Sequence, residues 1–148
     1  MGTNKFVKTL IILCSVLVFA CSEREEMNNP FYTSYQTDFE VPPFNEIKDE
    51  HFLPAFEKGM GEHNLEIQSI IENSEEPSFE NVIVALERSG DLLNKVSSVF
   101  FNLSGSNTNK NLQEIEREIS PLLSQHFDAI SLNPKIFQKV KELWDNVD

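Results

Sequence analysis

Residues 77–90 read "PSFENVIVALERSG", and this stretch carries the features of one complete helix. Ser78 can accept a hydrogen bond from the free backbone N–H groups of a first helical turn. Apolar side chains recur at spacings of three and four and predict one buried stripe: Phe79, Val82, Ile83 and Leu86. Gly90 suits the left-handed position that ends a helix. The stretch therefore predicts a well-capped helix, and none of its residues forms a reactive pattern.

The sequence before this helix predicts a second one. Residues 50–73, "EHFLPAFEKGMGEHNLEIQSIIEN", place apolar side chains at spacings of four or seven, on one face: Phe52, Phe56, Met60, Ile67 and Ile71. Pro54 is compatible with a helix that begins just before it, with Asp49 or Glu50 near the cap. Gly59 and Gly61 weaken the middle of this helix, and close approach by a neighbour is the one physical reason that we find for them.

Three further helices are predicted after Gly90. The first has a broad apolar face made of Leu92, Leu93, Val96, Val99, Phe100 and Leu103. The second begins at Asn107 or Thr108, and Pro121 should kink it or split it in two. The third has Asn133 as its cap and Pro134 as its first helical residue, with one side lined by Phe137, Val140, Leu143, Trp144 and Val147. Because no segment alternates like a strand, we predict an all-α fold of helical hairpins or a bundle over residues 45–148.

The N-terminus has the pattern of a secretory signal. Lys5 and Lys8 precede the apolar run "LIILCSVLVFA" at residues 10–20, which has the length of a signal core. Residues 18–21, "VFAC", resemble a bacterial lipobox, although Phe19 is bulkier than that pattern prefers. We expect a signal peptide at residues 1–20 and lipidation of Cys21, which implies a lipid-anchored protein of the bacterial cell envelope. The alternative is an ordinary signal peptide that is cleaved near Ala20.

Charge excludes one class of partner. The chain has 12 Lys and Arg residues against 24 Asp and Glu residues, a net charge of −12. Without Lys5 and Lys8, which lie in the signal, 10 basic residues remain against the same 24 acidic residues, and the net charge is −14. Such a surface repels phosphate backbones, so we expect no nucleic-acid partner. Residues 21–44 are polar, acidic and proline-bearing, and we interpret them as a flexible tether after the lipidated cysteine.

The remaining chain offers no recognisable catalytic or metal site. No two of the three histidines stand three or four residues apart, as a metal-binding helix face requires. We interpret His51 as a capping or packing residue, and His63 and His126 as solvated residues on polar faces. The chain has no nucleophile elbow and no phosphate loop. Nothing distinguishes the paired carboxylates as acid and base: Glu75 with Glu76, and Glu114 with Glu118.

Three blocks of the sequence resemble the beginning of a known enzyme family. They are "VPPFNEIKDEHFLPAFEKGM" (41–60), "EEPSFENVIVALERSGDLLNKVSSVFFNL" (75–103) and "EISPLLSQHFDAISLNPKIF" (118–137). In this order and spacing they resemble the M3 family of zinc metallopeptidases, and most closely its peptidyl-dipeptidase and oligopeptidase A branch. The resemblance runs from about Pro42 to Trp144.

The resemblance implies an elongated helical fold in which two halves flank a deep channel that admits short peptides. Members of the family hold zinc through an HExxH helix and a later glutamate, and the HExxH glutamate activates a zinc-bound water. Those residues belong to the C-terminal half of the family fold, and this chain lacks them. We therefore assign no catalytic residue, no metal ligand and no substrate-binding residue here, and expect zinc and short peptides to bind only the full-length enzyme.

Two hypotheses follow. In the first, the chain is the N-terminal, non-catalytic channel wall of a membrane-anchored M3 peptidase, and its missing partner is the C-terminal catalytic half. In the second, it is a free-standing helical lipoprotein that binds peptides or a partner without catalysis. The apolar faces around Val96–Leu103 and Trp144 favour the first hypothesis, because a stable monomer should not expose them to water.

Overall fold

The computed structural model describes residues 28–146, and all the regular secondary structure in this range is helical. The α-helices are α1 (Phe52–Glu72), α2 (Ala85–Glu87), α3 (Asp91–Ser106), α4 (Lys110–Ser131) and α5 (Pro134–Asp145). A π-helical segment, Phe79–Val84, continues directly into α2, and 3-10 turns lie at Pro30–Tyr32, Asp38–Glu40 and Asp49–His51. The prediction of an all-α fold is confirmed for this part of the chain.

Side-chain caps set most of the predicted boundaries. Ser78 Oγ accepts from Asn81 N at 3.2 Å, while Asn81 Oδ1 accepts from Ser78 N at 2.8 Å, so the two residues form a reciprocal cap. Asn133 Oδ1 accepts from the backbone of α5 and Pro134 is the first residue of that helix, as predicted. Pro54 lies in the first turn of α1, where its missing N–H removes no helical hydrogen bond.

Helix α4 differs from its prediction at two points. Its cap is Asn109, whose Oδ1 accepts from Leu112 N at 2.9 Å, so the predicted start at Asn107 or Thr108 is wrong by one or two residues. Pro121 does not split the helix, which is continuous from Lys110 to Ser131. The ring of Pro121 is exposed, while the nearby Ile119 and Leu123 are buried in the core. Core packing on both sides of the proline thus keeps the two halves in one helix.

The first turns after Ser78 are π-helical rather than α-helical, and this changes which side chains are buried. A π-helix bonds residues five apart, so side chains at spacings of three and four no longer share one stripe. Val82 is 1% exposed, whereas Phe79 is 65% exposed. The prediction that Phe79 belongs to the buried stripe is therefore wrong.

The core lies where α1 packs against α3, with α4 packed on both. Three phenylalanine rings form its centre: Phe52 and Phe56 meet Phe100 edge-on, at centroid distances of 5.0 and 5.3 Å. A Cβ on Gly59 would lie 3.0 Å from Leu93 Cα, so this glycine permits the close approach of α1 and α3. The face of α3 around Val96, predicted to need a later cover, is already buried by these helices.

The predicted tether over residues 21–44 is wrong for residues 29–35, which pack against the helices. Phe31 is 1% exposed, and Asn29 Nδ2 donates to His51 O at 2.8 Å. Lys95 Nζ, on α3, donates to the carbonyl oxygens of Phe31 at 3.0 Å and Thr33 at 2.6 Å. The buried ring of Phe31 and the two hydrogen bonds from the Lys95 ammonium group therefore hold this segment against the helices. The predicted signal peptide (1–20), Cys21 and Val147 lie outside the described residues.

Between residues 28 and 146, no helix has both the length and the apolarity that a bilayer crossing requires.

Candidate functional site

Two buried histidines from different helices meet beside the turn that joins α2 to α3. His63 on α1 and His126 on α4 are 7% and 8% exposed, so the prediction that they are solvated is wrong. His126 Nε2 lies 3.0 Å from His63 Nδ1, and His63 Nε2 lies 3.1 Å from Ser89 Oγ. We call His63, His126 and Ser89 the histidine network.

One arrangement of hydrogen atoms satisfies all three hydrogen bonds of the network when both rings are neutral. Ser89 Oγ donates its hydrogen to Leu86 O at 2.7 Å, so it accepts from His63 Nε2–H. His63 Nδ1 is then an acceptor and takes the hydrogen of His126 Nε2. Both imidazoles are thus assigned as neutral Nε2–H tautomers by their hydrogen-bond partners.

Gly90 allows the turn to approach His63. Its φ of 77° is left-handed, and a Cβ at this position would lie 2.9 Å from His63 Nδ1. The backbone N–H of Gly90 donates to Glu66 Oε2 at 2.7 Å, one turn further along α1. The prediction that Gly90 is left-handed is confirmed, and the close approach to His63 is a second reason for glycine at this position.

The surroundings of the pair favour its neutral state. Burial lowers the pKa of His63, and the Glu66 carboxylate opposes this effect. Burial also lowers the pKa of His126, and the neighbouring His63 lowers it further. A proton that enters the pair therefore has to overcome desolvation.

The network does not have the features of a catalytic site. Its order of serine, histidine and histidine is that of an activated nucleophile, but Ser89 is 7% exposed and its hydroxyl hydrogen is engaged by Leu86 O. Across residues 28–146, no three His, Cys, Asp or Glu side chains come together as metal ligands. What the network does is join α1, the α2–α3 turn and α4.

The other candidate groups lie elsewhere. His51 Nδ1 accepts from Lys48 N at 3.1 Å, so its predicted capping role is confirmed. The paired carboxylates considered in the sequence are all exposed: Glu75, Glu76, Glu114 and Glu118.

The sequence contained a signal for the two buried histidines. His63 stands four positions before Ile67, and His126 stands three positions after Leu123, so both are in register with the apolar stripes of their helices. Their polarity led us to place them on the solvated faces. The spacing was the better guide.

A second feature is a set of exposed apolar side chains on α4, α5 and their connection. We call it the outer apolar set, and its members and exposed fractions are Leu122 43%, Phe127 42%, Leu132 81%, Phe137 65% and Trp144 78%. An open groove of about 700 Å³ lies between α4 and the start of α5, lined by Pro121, Ala129, Leu132 and Pro134 among others. The expectation that the face of the last helix at Trp144 is uncovered is confirmed.

Sequence comparison relates the chain to two kinds of bacterial peptidase. It is 38% identical over 116 residues to the dipeptidyl carboxypeptidase of Escherichia coli, and 36% identical over 116 residues to that of Salmonella typhimurium. It is 27% identical over 119 residues to the oligopeptidase A of Salmonella typhimurium. These matches cover 78%, 78% and 80% of the chain. No protein-family model matches it.

The matched stretch is a small part of each relative. The chain spans 17% of the length of each of these three enzymes. This coverage and the all-helical structure agree with the three blocks of resemblance in the sequence. The chain is homologous to the N-terminal region of M3-family peptidases of the dipeptidyl carboxypeptidase and oligopeptidase A type.

Proposed function

We propose that this chain is the N-terminal, non-catalytic channel wall of a membrane-anchored M3 zinc peptidase that releases dipeptides from the C-terminus of short peptides. The observation that carries the proposal is the 38% identity to a dipeptidyl carboxypeptidase over a stretch that makes up 17% of that enzyme. The reaction belongs to the whole enzyme, and the role of this region is to pack and to shape the channel.

The outer apolar set supports the packing role. Leu132, Phe137 and Trp144 are each more than half exposed. The same helical region also has a well-packed core of buried apolar side chains. Exposed aromatic side chains of this size are typical of surfaces that another part of a protein covers. Because the relatives are much longer than this chain, the part of the enzyme that would cover these side chains is its catalytic half.

Zinc in this proposal is held outside the described region. His63 and His126 already bond to each other, and His63 also bonds to Ser89, so their nitrogen atoms do not form an open ligand set. A catalytic zinc site needs several side-chain ligands and an open position for water or substrate. The zinc would activate the attacking water in the catalytic half, and the residues described here would exclude large substrates.

The membrane anchor in this proposal is the lipid on Cys21. Eight residue steps separate Cys21 from the docked Asn29, and a fully extended chain of that length spans at most about 29 Å. A helical body on so short a connection would stay close to the bilayer.

The proposal is tested on the native product, purified from membranes with an antibody raised against residues 28–146. We expect bound zinc and chelator-sensitive release of C-terminal dipeptides from short peptides. A Cys21→Ser variant should keep the activity and leave the membrane fraction. Absence of zinc and of hydrolysis in the purified product would contradict the peptidase and support a free-standing helical lipoprotein that binds peptides or a partner.

A further inference from the structure

We propose that the histidine network is a pH-sensitive latch: while neutral it holds the second half of α4 against α1, and it releases that half when both imidazoles are protonated. The latch does not depend on the proposed peptidase function. It rests on the position of His126, on the direction of the hydrogen bonds and on the proline in α4.

His126 is placed to act as the last anchor of α4. The buried side chains of this helix are Leu112, Ile115, Ile119, Leu123 and His126, and every later residue of the helix is exposed or only partly buried. Its hydrogen bond to His63 Nδ1, at 3.0 Å, therefore attaches the end of α4 to α1.

Pro121 provides a weak point before this anchor. Proline has no N–H, so the helical hydrogen bond from position 121 to the carbonyl of Arg117 is missing. The segment after it, residues 122–131, can move with fewer backbone bonds to break than an uninterrupted helix would require. After this weak point, the buried side chains of the helix are Leu123 and His126, and His126 is the one whose contact depends on protonation.

Proton counting shows how the latch opens. A first proton can be shared in the bond between His63 Nδ1 and His126 Nε2, because either nitrogen can donate while the other accepts. A second proton leaves no acceptor, so two N–H groups face each other across 3.0 Å. The pair thus titrates as a coupled unit, and its second protonation breaks the contact between the helices.

The charged groups around the pair do not remove this effect. Glu66 on α1 favours a proton on His63, but its Oε2 is already engaged by Gly90 N. The charged side chains within two residues of His63, Ser89 or His126 are all exposed to solvent: Glu62 on α1, Glu87, Arg88 and Asp91 at the turn, and Asp128 on α4. Arg88 is also paired with Glu80, at 3.6 Å. Solvent screens their influence on the buried rings.

The sign of the pH dependence follows from the folded and unfolded states. An unfolded histidine binds its proton near pH 6.5. Burial lowers the pKa of both rings in the folded state, so below that pH the open form binds more protons than the closed form. The latch is therefore fully closed above about pH 6.5 and weakens as the pH falls from there toward the lowered pKa values of the closed form.

Hydrogen exchange of the native product between about pH 8 and about pH 5 tests the latch. After correction for intrinsic exchange rates, amides of residues 122–131 should exchange about tenfold faster for each pH unit of the titration window. Residues 91–106 of α3 are the internal reference and should change less. Equal changes in the two segments, or no change in residues 122–131, would overturn the proposal.

Variants give a second readout. Glutamine can donate like a neutral Nε2–H but does not titrate, so His126→Gln should remove most of the acid-induced acceleration in residues 122–131. His51→Gln is the matched control, because His51 lies outside the network, and it should retain that acceleration. The same acceleration in His126→Gln as in the wild type would also overturn the latch. If His126→Gln does not fold, the wild-type exchange profile still decides.

Discussion

At Gly90 two structural requirements fall on one residue. The backbone there is left-handed, with φ of 77°, and the position of a Cβ would be 2.9 Å from His63 Nδ1. Neither requirement applies to Gly61, in the exposed middle of α1: its backbone is helical, and a Cβ there would have no neighbour within 4 Å. The two glycines therefore form a matched pair for mutation.

We predict that Gly90→Ala lowers the free energy of unfolding by more than the roughly 1–2 kcal/mol of a left-handed alanine, because the methyl group also displaces His63. Gly61→Ala should instead stabilise the protein by about 0.5–1 kcal/mol, since alanine is the better helix former. Urea denaturation of both variants measures the two effects. Equal stability of the two variants would contradict the packing described at the turn.

The sequence predicted the local conformation of single residues well and their burial less well. The conformation of Gly90, the cap at Ser78 and the role of His51 are local properties, and the sequence predicted each of them. The spacing of His63 and His126 within their helices indicated burial, but each is the other's hydrogen-bond partner from 63 positions away, so neither segment alone showed that contact. Phe79 was misplaced because a π-helical turn has no distinct sequence signature.

At the scale of the elements, local chemistry fixes where α4 begins. Asn109 Oδ1 accepts from Leu112 N at 2.9 Å, and Asn109 Nδ2 also donates to Asp49 Oδ2 at 3.0 Å. Asn107, two residues earlier, contributes its backbone N–H to the end of α3 instead. The sequence alone could not choose between adjacent polar residues, because each can cap a helix.

We predict that Asn109→Ala lowers the free energy of unfolding by about 1 kcal/mol, the usual cost of losing a side-chain cap. Asn107→Ala is the matched control and should change stability by less than half of that amount. Thermal or chemical denaturation monitored by circular dichroism separates the two. A larger loss in Asn107→Ala would place the cap where the sequence first suggested it.

Lys95 is the residue of α3 that fastens the N-terminal segment. Its ammonium group donates to Phe31 O and Thr33 O and lies 3.9 Å from the ring centre of Tyr35. Burial lowers the pKa of Lys95, as expected for a cation covered by a docked chain. Composition predicted a tether here, since the segment is polar, and the long-range contacts with Lys95 and with the core overrode that tendency.

We predict that Lys95→Met loosens residues 29–35 without unfolding the helices. Two carbonyl groups lose their donor, so limited proteolysis should cut near residues 33–37 faster than in the wild type. Lys110→Met, at the exposed start of α4, is the control and should leave the cleavage rate unchanged. An unchanged rate in Lys95→Met would mean that the buried Phe31 and the hydrogen bond from Asn29 to His51 O hold the segment without Lys95.

At the scale of the whole molecule, the question is what covers the outer apolar set. The prediction that the last helix has an uncovered apolar face is confirmed. The same prediction for α3 is wrong, because α1 and α4 bury its apolar stripe. Helix periodicity shows that a face is apolar and does not show which neighbour covers it. The tertiary arrangement was needed to separate the inner core from the outer set.

We predict that Phe137→Cys reacts with a maleimide many-fold more slowly in the native product than in the isolated region of residues 28–146. The reason is that the catalytic half would bury the side chain at position 137, which is 65% exposed here. Each rate is normalised to that of the same variant in denaturant. Equal normalised rates would show that this face stays open to solvent.

The central claim is that this helical region belongs to a larger peptidase. The most direct measurement is the intact mass of the native product, captured with an antibody against residues 28–146. Because the chain spans 17% of its relatives, we predict a species several times heavier than its own 17.0 kDa. A product of about 17 kDa or less would contradict the claim and leave a helical protein whose outer apolar set needs a separate partner.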